Sequence, residues 1–309
     1  MRRILFLAAL LLFPLSARSQ TIGFAQVGAE SDWRTAFSAS MKQEAARRGL
    51  HLLFADAGND VGRQRQEVRG FIAKHVDAII IAPVVVDGWS DVLKEAKEAA
   101  IPVFIADRAV RADPSLYVAR IAASSTLEGR LAAAWLAQAT NGKCDVVELE
   151  GTAGSEPALQ RHSGFLAVAA LFPDIRIIRA GNGNFTTEGG RSVMTRLMSE
   201  TNNLAGVCAV LAHNDNMLLG AIGVMQAAGV HPGRDIITVS FDGLPNIYRA
   251  MLAGEATMSV EVKSDTAPYI YDVVQRYLKG ERSFPKWIVI PSALHTRADA
   301  AAMLERHGS

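Results

Sequence analysis

Short apolar runs alternate with amphipathic stretches along most of this chain. Eleven of these runs are predicted as strands, and most of them are nearly continuous in apolar residues, which is the pattern of strands covered on both faces of a sheet. The predicted strands are 22–27, 50–54, 78–82, 102–106, 117–121, 145–150, 175–179, 207–212, 236–241, 257–262 and 287–290.

Helical periodicity fills the intervals between these runs. Leu218, Ala221, Ile222 and Met225, for example, occupy positions i, i+3, i+4 and i+7, which lie on one face of a helix. Regular alternation of strands and helices predicts an α/β fold with parallel sheets and right-handed crossovers. We interpret the apolar stripes as core-facing surfaces and not as a cofactor site.

The alternation restarts near residue 122, which predicts two doubly wound parallel-sheet lobes. Ser125 and Glu128 have the spacing of a capping box that opens a new helix. We predict a first, N-terminal lobe of residues 21–122 plus 262–290 and a second, C-terminal lobe of residues 124–261 plus 292–309. Because no linker rich in Pro, Gly or Ser separates them, crossing strands are expected to form a multi-strand hinge.

The first residues of the chain have the composition of an export signal. Arg2 and Arg3 precede an apolar run over 4–15, and Ala17 and Ser19 are the small residues that a signal peptidase reads. We predict a signal peptide over residues 1–19, with cleavage before Gln20, and a periplasmic mature protein. The alternative is a buried N-terminal strand or helix. The run is too short for a membrane span, and no later run approaches the ~18 residues that a span needs.

Composition and motifs exclude several function classes. Half of the residues are apolar, so the chain is not disordered, and a net charge of +1 favours neither nucleic acid nor an anionic membrane as a partner. There is no H-E-x-x-H or Cys/His cluster, no glycine-rich phosphate loop and no G-x-S-x-G. We therefore expect no metal, no cofactor and no catalytic residue, and a protein that is a monomer.

The two cysteines, Cys144 and Cys208, each precede or open a predicted strand of the second lobe. The first and third strands of a doubly wound sheet are neighbours about 4.8 Å apart, which places the two thiols within reach of a disulfide. Export would permit that bond. Two buried free thiols are the alternative.

Polar residues gather where the predicted strands end, and ligands of parallel α/β sheets bind outside those carboxyl ends. They are Glu30, Ser31, Trp33 and Arg34, then Asp107 and Arg108, then Asn214, Asp242 and Glu261. Carboxylates, guanidinium groups and amides suit sugar hydroxyls, and an indole offers a flat apolar face. Helix caps and surface charges are the structural alternatives, and we interpret His213 as a packing or hinge-side residue.

Several segments carry a resemblance to a known family. They are 22–28, the Glu-Ser-Asp-Trp-Arg segment at 30–34, 81–85, Trp89, 92–97, 102–108, 146–152, 212–215 and 242–243. With these the chain resembles the periplasmic sugar-binding proteins of ABC transporters, the ribose-binding type with the type I fold, and within it the galactofuranose-binding branch. The likeness extends over nearly the whole mature chain. Where that branch has Gly before the Trp, this chain has Asp32.

The resemblance implies a role for each matching position. Trp33 would stack on the sugar, while Glu30, Ser31 and Arg34 would bond its hydroxyls beside Asp107 and Arg108. From the second lobe, Arg161, Asn214 and Asp242 would close over the ligand. Phe185 would be a second aromatic contact and Glu261 a hinge-side polar contact.

The implied function is capture of a monosaccharide, galactofuranose or a similar sugar, for uptake through an ABC-transporter permease and its ATPase subunit. A sugar receptor that feeds chemotaxis or a sensor kinase is an alternative. A secreted carbohydrate-active enzyme would need two carboxylates roughly 5–10 Å apart, and Asp107 and Asp242 are the candidates. A related two-lobed transcriptional regulator would need an N-terminal helix-turn-helix, where this chain has the predicted signal.

Overall fold

The computed structural model describes residues 19–308, so the predicted signal peptide, apart from Ser19, lies outside the described residues. Two six-stranded sheets form its framework. The strands are β1 (Thr21–Gln26), β2 (His51–Asp56), β3 (Ala78–Ile81), β4 (Val103–Ala106), β5 (Arg120–Ala122), β6 (Lys143–Glu150), β7 (Asp174–Asn182), β8 (Ala209–Ala212), β9 (Ile237–Asp242), β10 (Met258–Glu261), β11 (Trp287–Val289) and β12 (Ala293–Thr296).

Helices connect the strands, and a short 3-10 helix spans Pro114–Leu116. The α-helices are α1 (Asp32–Arg47), α2 (Val61–Ala73), α3 (Ser90–Glu98), α4 (Ser125–Ala139), α5 (Glu156–Ala169), α6 (Thr187–Glu200), α7 (Asp215–Ala227), α8 (Pro245–Ala253), α9 (Ala267–Leu278) and α10 (Ala300–Arg306). None of the helices within residues 19–308 is long and apolar enough to cross a bilayer.

The strand order confirms the predicted fold class. The first sheet runs β11-β5-β4-β3-β1-β2 and is parallel throughout. The second runs β12-β10-β9-β8-β6-β7 and is parallel except for β12, which is antiparallel to β10. All eleven predicted strands are present, with ends shifted by a few residues. The edge strand β12 was missed because its sequence, Ala-Leu-His-Thr, has no continuous apolar run.

We call the first sheet and its helices the first lobe, and the second sheet and its helices the second lobe. The chain passes between the sheets three times: from β5 to β6, from β10 to β11 and from β11 to β12. These passages form the multi-strand hinge. The exact lobe boundaries stay a prediction.

The inner strands of both sheets are buried on two faces, which explains their continuous apolar runs. Ile79 and Ile80, for example, are neighbours in β3, and both are fully buried. Because successive strand residues point to opposite faces, they belong to separate core clusters: Ile79 packs with Trp89 on one side, and Ile80 with Phe104 on the other.

The predicted capping box at the start of α4 is wrong by one residue. Ser124 is the N-cap, and its hydroxyl accepts a hydrogen bond from the Leu127 amide at 3.3 Å. Ser125 lies inside the helix and donates to Glu156. Glu128 does not return to the cap but points to Arg161, because a buried guanidinium is the stronger partner for its carboxylate.

The predicted disulfide is present. Cys144 lies in β6 and Cys208 directly before β8, and these strands are neighbours in the second sheet. The sulfur atoms are 2.06 Å apart and the Cα atoms 5.2 Å apart. The disulfide lies at the amino end of these strands. The polar residues that were predicted to contact a ligand follow the opposite, carboxyl ends of the strands.

Candidate functional site

The carboxyl ends of strands from both sheets face a cavity between the lobes. Its lining residues are Glu30, Ser31, Trp33, Arg34, Asp107, Arg108, Ala123, Ser125, Glu128, Pro157, Arg161, Phe185, Asn214, Asp242 and Val262. Ten of the eleven residues predicted as ligand contacts therefore meet in one place.

The turn from β1 into α1 supplies one wall. Ser31 is the N-cap of α1 and accepts a hydrogen bond from the Arg34 amide at 3.1 Å. This cap begins the helix at Asp32, so that Trp33 and Arg34 fall in the first turn and are buried against the cavity. The polar character of this turn is therefore both a helix cap and a wall of the site.

Two arginines and two carboxylates form the first-lobe side of the cavity. Arg34 Nη2 lies 2.7 Å from Asp107 Oδ2, and Arg108 Nη2 lies 2.9 Å from Glu30 Oε1. Asp107 follows β4 with φ 62°, in the left-handed region, which turns the chain sharply after the strand. These pairs hold both guanidinium groups in place.

The surroundings act differently on the two arginines. Burial alone would lower the pKa of Arg34, but the carboxylates of Asp107 and Glu30 outweigh it and raise that pKa. Burial and repulsion from Arg34 lower the pKa of Arg108 from its ordinary value. The nearby carboxylates therefore offset the effect of burial on the charge less completely for Arg108 than for Arg34. A ligand oxygen beside Arg108 would stabilise that charge.

Arg161 on α5 is the centre of the second-lobe side. Its Nε donates to Glu128 Oε2 at 2.9 Å, its Nη1 donates to the carbonyl of His213, and its Nη2 lies 3.8 Å from Asp242 Oδ1. Burial raises the pKa of Asp242, and the charge of Arg161 opposes that rise. Three fixed partners thus determine the direction of one guanidinium group.

The aromatic residues lie on both sides of the cavity. Trp33 stacks on Phe37 with ring centroids 5.4 Å apart, and its Nε1 donates to the carbonyl of Val262 in the hinge. Phe185 comes from the second lobe, and the Arg108 guanidinium lies 5.4 Å from its ring centre. Both rings are nearly fully buried, so each offers the cavity a fixed apolar surface.

Asn214 has two roles in the structure. Its side-chain oxygen caps α7 by accepting from the Met217 amide at 2.9 Å, and its Nδ2 donates to the carbonyl of Phe185, also at 2.9 Å. One N–H of the amide remains for a ligand. Asn214 is therefore both a helix cap and a lining residue of the cavity.

Several polar atoms of the cavity are buried and have no hydrogen-bond partner within residues 19–308. They are Glu30 Oε2, Arg34 Nε, Arg34 Nη1 and Arg108 Nε. Buried polar groups are nearly always paired in native proteins, because an unpaired one costs about 1–3 kcal/mol. The set combines an acceptor with several donors, and hydroxyl groups, which both donate and accept, match it.

Glu261, predicted as a hinge-side ligand contact, lies outside the lining of this cavity. Its carboxylate lies 3.2 Å from His295 Nε2 and 3.5 Å from Arg306 Nη1. The antiparallel pairing of β10 with the unpredicted strand β12 brings His295 beside it. Since β12 was missing from the sequence-based topology, this competing partner could not be foreseen.

Sequence reasoning missed five lining residues: Ala123, Ser125, Glu128, Pro157 and Val262. Three of them begin helices of the second lobe, since Ser125 and Glu128 lie in the first turn of α4 and Pro157 in that of α5. Helix starts beside a strand end are a signal that could have found them. Ala123 and Val262 lie in hinge passages and carry no such signal.

Three residues outside the cavity could hold a metal ion, although none was expected from motifs. One ligand atom each of Glu148, Glu150 and His162 lies within 4.8 Å of the other two. The fully buried carboxylate of Glu148 already has two partners, His162 Nδ1 at 2.9 Å and His213 Nε2 at 2.8 Å. His213 is itself completely buried.

Comparison with known proteins gives a consistent result. Residues 22–282 match the model of the periplasmic binding protein domain family. The galactofuranose-binding protein YtfQ of Escherichia coli (strain K12) is 44% identical over 93% of this chain and 91% of its own length.

Two solved structures are similar to this chain in both sequence and fold. The periplasmic binding protein component of the arabinose ABC transporter from Shewanella sp. ANA-3, bound to α- and β-L-arabinofuranose, is 44% identical with a TM-score of 0.90, covering 93% of this chain and 95% of that one. A Mycobacterium smegmatis protein in complex with β-D-fucofuranose is 38% identical with a TM-score of 0.90, covering 94% and 95%.

Proposed function

This chain belongs to the periplasmic binding protein domain family, and from that premise we propose that it captures a monosaccharide in its furanose form between the two lobes and delivers it to an ABC transporter. The unpaired buried atoms of Glu30, Arg34 and Arg108 carry the proposal. A sugar ring presents several hydroxyls to such atoms and an apolar C–H face to Trp33 or Phe185.

The relatives support a furanose ring. YtfQ is named for galactofuranose, and the Shewanella and Mycobacterium structures hold arabinofuranose and fucofuranose. A site that pairs its buried groups with particular hydroxyls rejects a ring that moves those hydroxyls, because the groups are then left unpaired. Galactofuranose or a similar sugar is the proposed ligand.

A binding role fits the carboxylates of the cavity better than an enzymatic one. Asp107 is paired with Arg34, and Asp242 faces Arg161, so each has a cationic neighbour suited to holding a ligand. The related proteins are named as binding proteins. Incubation with galactofuranosides and arabinofuranosides should leave the glycosidic bonds intact.

The proposed ligand set contains residues of both lobes. Glu30, Ser31, Trp33, Arg34, Asp107 and Arg108 approach from the first, and Arg161, Phe185, Asn214 and Asp242 from the second. Neither group surrounds a sugar by itself, so binding should favour the closed arrangement through its additional contacts. Export to the periplasm and delivery to a permease and its ATPase complete the proposal.

Binding of free sugars tests the proposal. In a thermal-shift screen, a ligand at about 100 times its Kd should stabilise the protein by about 2.7 kcal/mol. The ¹³C spectrum of protein mixed with galactose or arabinose labelled at C1 should then show the bound ring as a furanose. A bound pyranose would overturn the ring assignment, and absence of any hit among galactose, arabinose, fucose and ribose would overturn the function. Loss of uptake of that sugar when the gene is deleted tests the transport role against a receptor role.

A further inference from the structure

A pair of reciprocal hydrogen bonds joins the lobes outside the cavity. The backbone amide of Asp32 donates to Asn216 Oδ1 at 3.1 Å, and Asn216 Nδ2 donates to Asp32 Oδ2, also at 3.1 Å. Asp32 is the first residue of α1 in the first lobe, and Asn216 is the second residue of α7 in the second. The two residues are 184 positions apart in the chain, so the contact exists because the lobes meet.

Neither residue lines the cavity, although their neighbours do. Trp33 follows Asp32, and Asn214 stands two residues before Asn216, and both of these line it. The Asp32–Asn216 pair therefore bridges the lobes at the edge of the site. A contact of this kind can stabilise the closed arrangement without touching the ligand.

The surroundings of the Asp32–Asn216 pair also allow its hydrogen bonds to break when the lobes separate. Asn216 Nδ2 lies 3.4 Å from Thr187 Oγ1 in its own lobe, so this donor keeps a partner when the lobes separate. Asp32 is exposed, and water can take the place of the amide at its carboxylate. Since both partners have substitutes in the open state, the bonds add a modest preference for closure and leave release possible.

We propose that Asp32 and Asn216 form an interlobe latch that lengthens the residence time of the ligand. This inference rests on the proposed function, because it assumes that the ligand lies between the lobes. A latch without ligand contacts acts by shifting the population of the closed state, so it changes the affinity for every bound sugar by the same factor. A residue that contacts the ligand directly would instead change the affinity by a different factor for each sugar.

An exchange of the two side chains tests the latch. Asn216→Asp places two carboxylates opposite each other, and we expect dissociation of the bound sugar to become about tenfold faster, with equal factors for each sugar that binds. Adding Asp32→Asn should restore the rate to within about twofold of the parent, since the introduced amide donates to the introduced carboxylate and the backbone amide of residue 32 still donates. Asp91→Asn, an exposed position in the first turn of α3, controls for the loss of one surface charge.

A measurement without ligand separates the latch from the proposed function. Spin labels on Lys94→Cys and Gln226→Cys, exposed positions of the first and second lobe, report the interlobe distance, because the native cysteines are joined to each other. Asn216→Asp should shift the distances of the unliganded protein to longer values, and the double exchange should reverse that shift. Unchanged distances and dissociation rates in Asn216→Asp, or no recovery in the double variant, would overturn the latch whether or not a sugar binds.

Discussion

Gly129 of α4 lies directly against the backbone carbonyl of Arg161 in α5, so close that a Cβ atom on Gly129 would overlap that oxygen. Gly164 of α5 stands in the same way against the carbonyl of Thr126. The absence of two side chains lets the helices approach closely, and this approach brings Glu128 and Arg161 within 2.9 Å of each other. The guanidinium of the second lobe is thus positioned by a helix contact.

Gly129→Ala should therefore disturb both the fold and the site. We expect the free energy of unfolding in urea to fall by about 1–3 kcal/mol, as for other overpacked core positions, and the affinity for the sugar to fall because Arg161 is displaced. Gly70→Ala is the matched control, since a Cβ at this helical position would meet nothing within 4 Å. It should raise the unfolding free energy by roughly 0.5–1 kcal/mol. Equal stability of the two variants would contradict the close-packing argument.

The Asp107–Arg34 pair provides a test of the cavity. Asp107→Asn keeps the shape of the side chain, and Asn tolerates the φ of 62° at this position. The substitution removes the negative charge that faces the buried Arg34. We expect the Kd measured by calorimetry to rise at least tenfold, about 1.4 kcal/mol. Asp87→Asn breaks an ion pair of similar length, 2.9 Å to Arg111, on the exposed surface. Its Kd should match the parent, and an Asp107→Asn variant that does the same would remove Asp107 from the site.

The histidine pair at Glu148 predicts a pH dependence of stability. Burial acts to raise the pKa of Glu148, but the hydrogen bonds from His162 and His213 outweigh it and lower this pKa to about 2. The same bond to Glu148 raises the pKa of His162 above its ordinary 6.5, against the effect of partial burial. Because the pKa of His162 is raised in the folded state, its contribution to the free energy of unfolding is full below pH 6.5. This contribution is lost as the pH rises through the pKa that His162 has in the folded protein.

His162→Asn should remove that contribution. The unfolding free energy of the parent should decline as the pH rises above about 6.5, and the decline should be smaller in the variant. His75→Asn serves as the control, because His75 is exposed and its φ of 50° suits Asn. If urea titrations at several pH values give parallel curves for parent and His162→Asn, His162 does not titrate in contact with Glu148.

The disulfide should stabilise the second lobe without affecting binding. Cys144 and Cys208 close a loop with a sequence separation of 64, and the chain-entropy account gives about 4 kcal/mol for a loop of that length. Replacement of both by Ala should lower the unfolding free energy by roughly that amount. The Kd should not change, because the bond is at the end of the strands opposite the cavity. A weaker affinity would mean that the amino ends of β6 and β8 influence the site.

The framework of this protein follows from its amino-acid pattern. Strands such as β3, buried on both faces, are apolar at every position, so continuous apolar runs predicted most of the strands. The polar residues after β1, β4 and β9 could be assigned to a common edge because parallel strands end together. The cysteine pair followed from the same neighbour rule.

Contacts between separate parts of the chain depend instead on the three-dimensional packing of the elements. The sequence contains no periodic signal for the edge strand β12, whose His295 pairs with Glu261 outside the cavity lining. Glu128 has the spacing of a cap residue, but the approach of α5 turns it to Arg161. Asp32 and Asn216 look like ordinary polar residues at two helix starts, and their pairing arises from closure of the lobes. Local patterns determine which face of an element is buried, whereas the partner of a polar side chain depends on the three-dimensional approach of other elements.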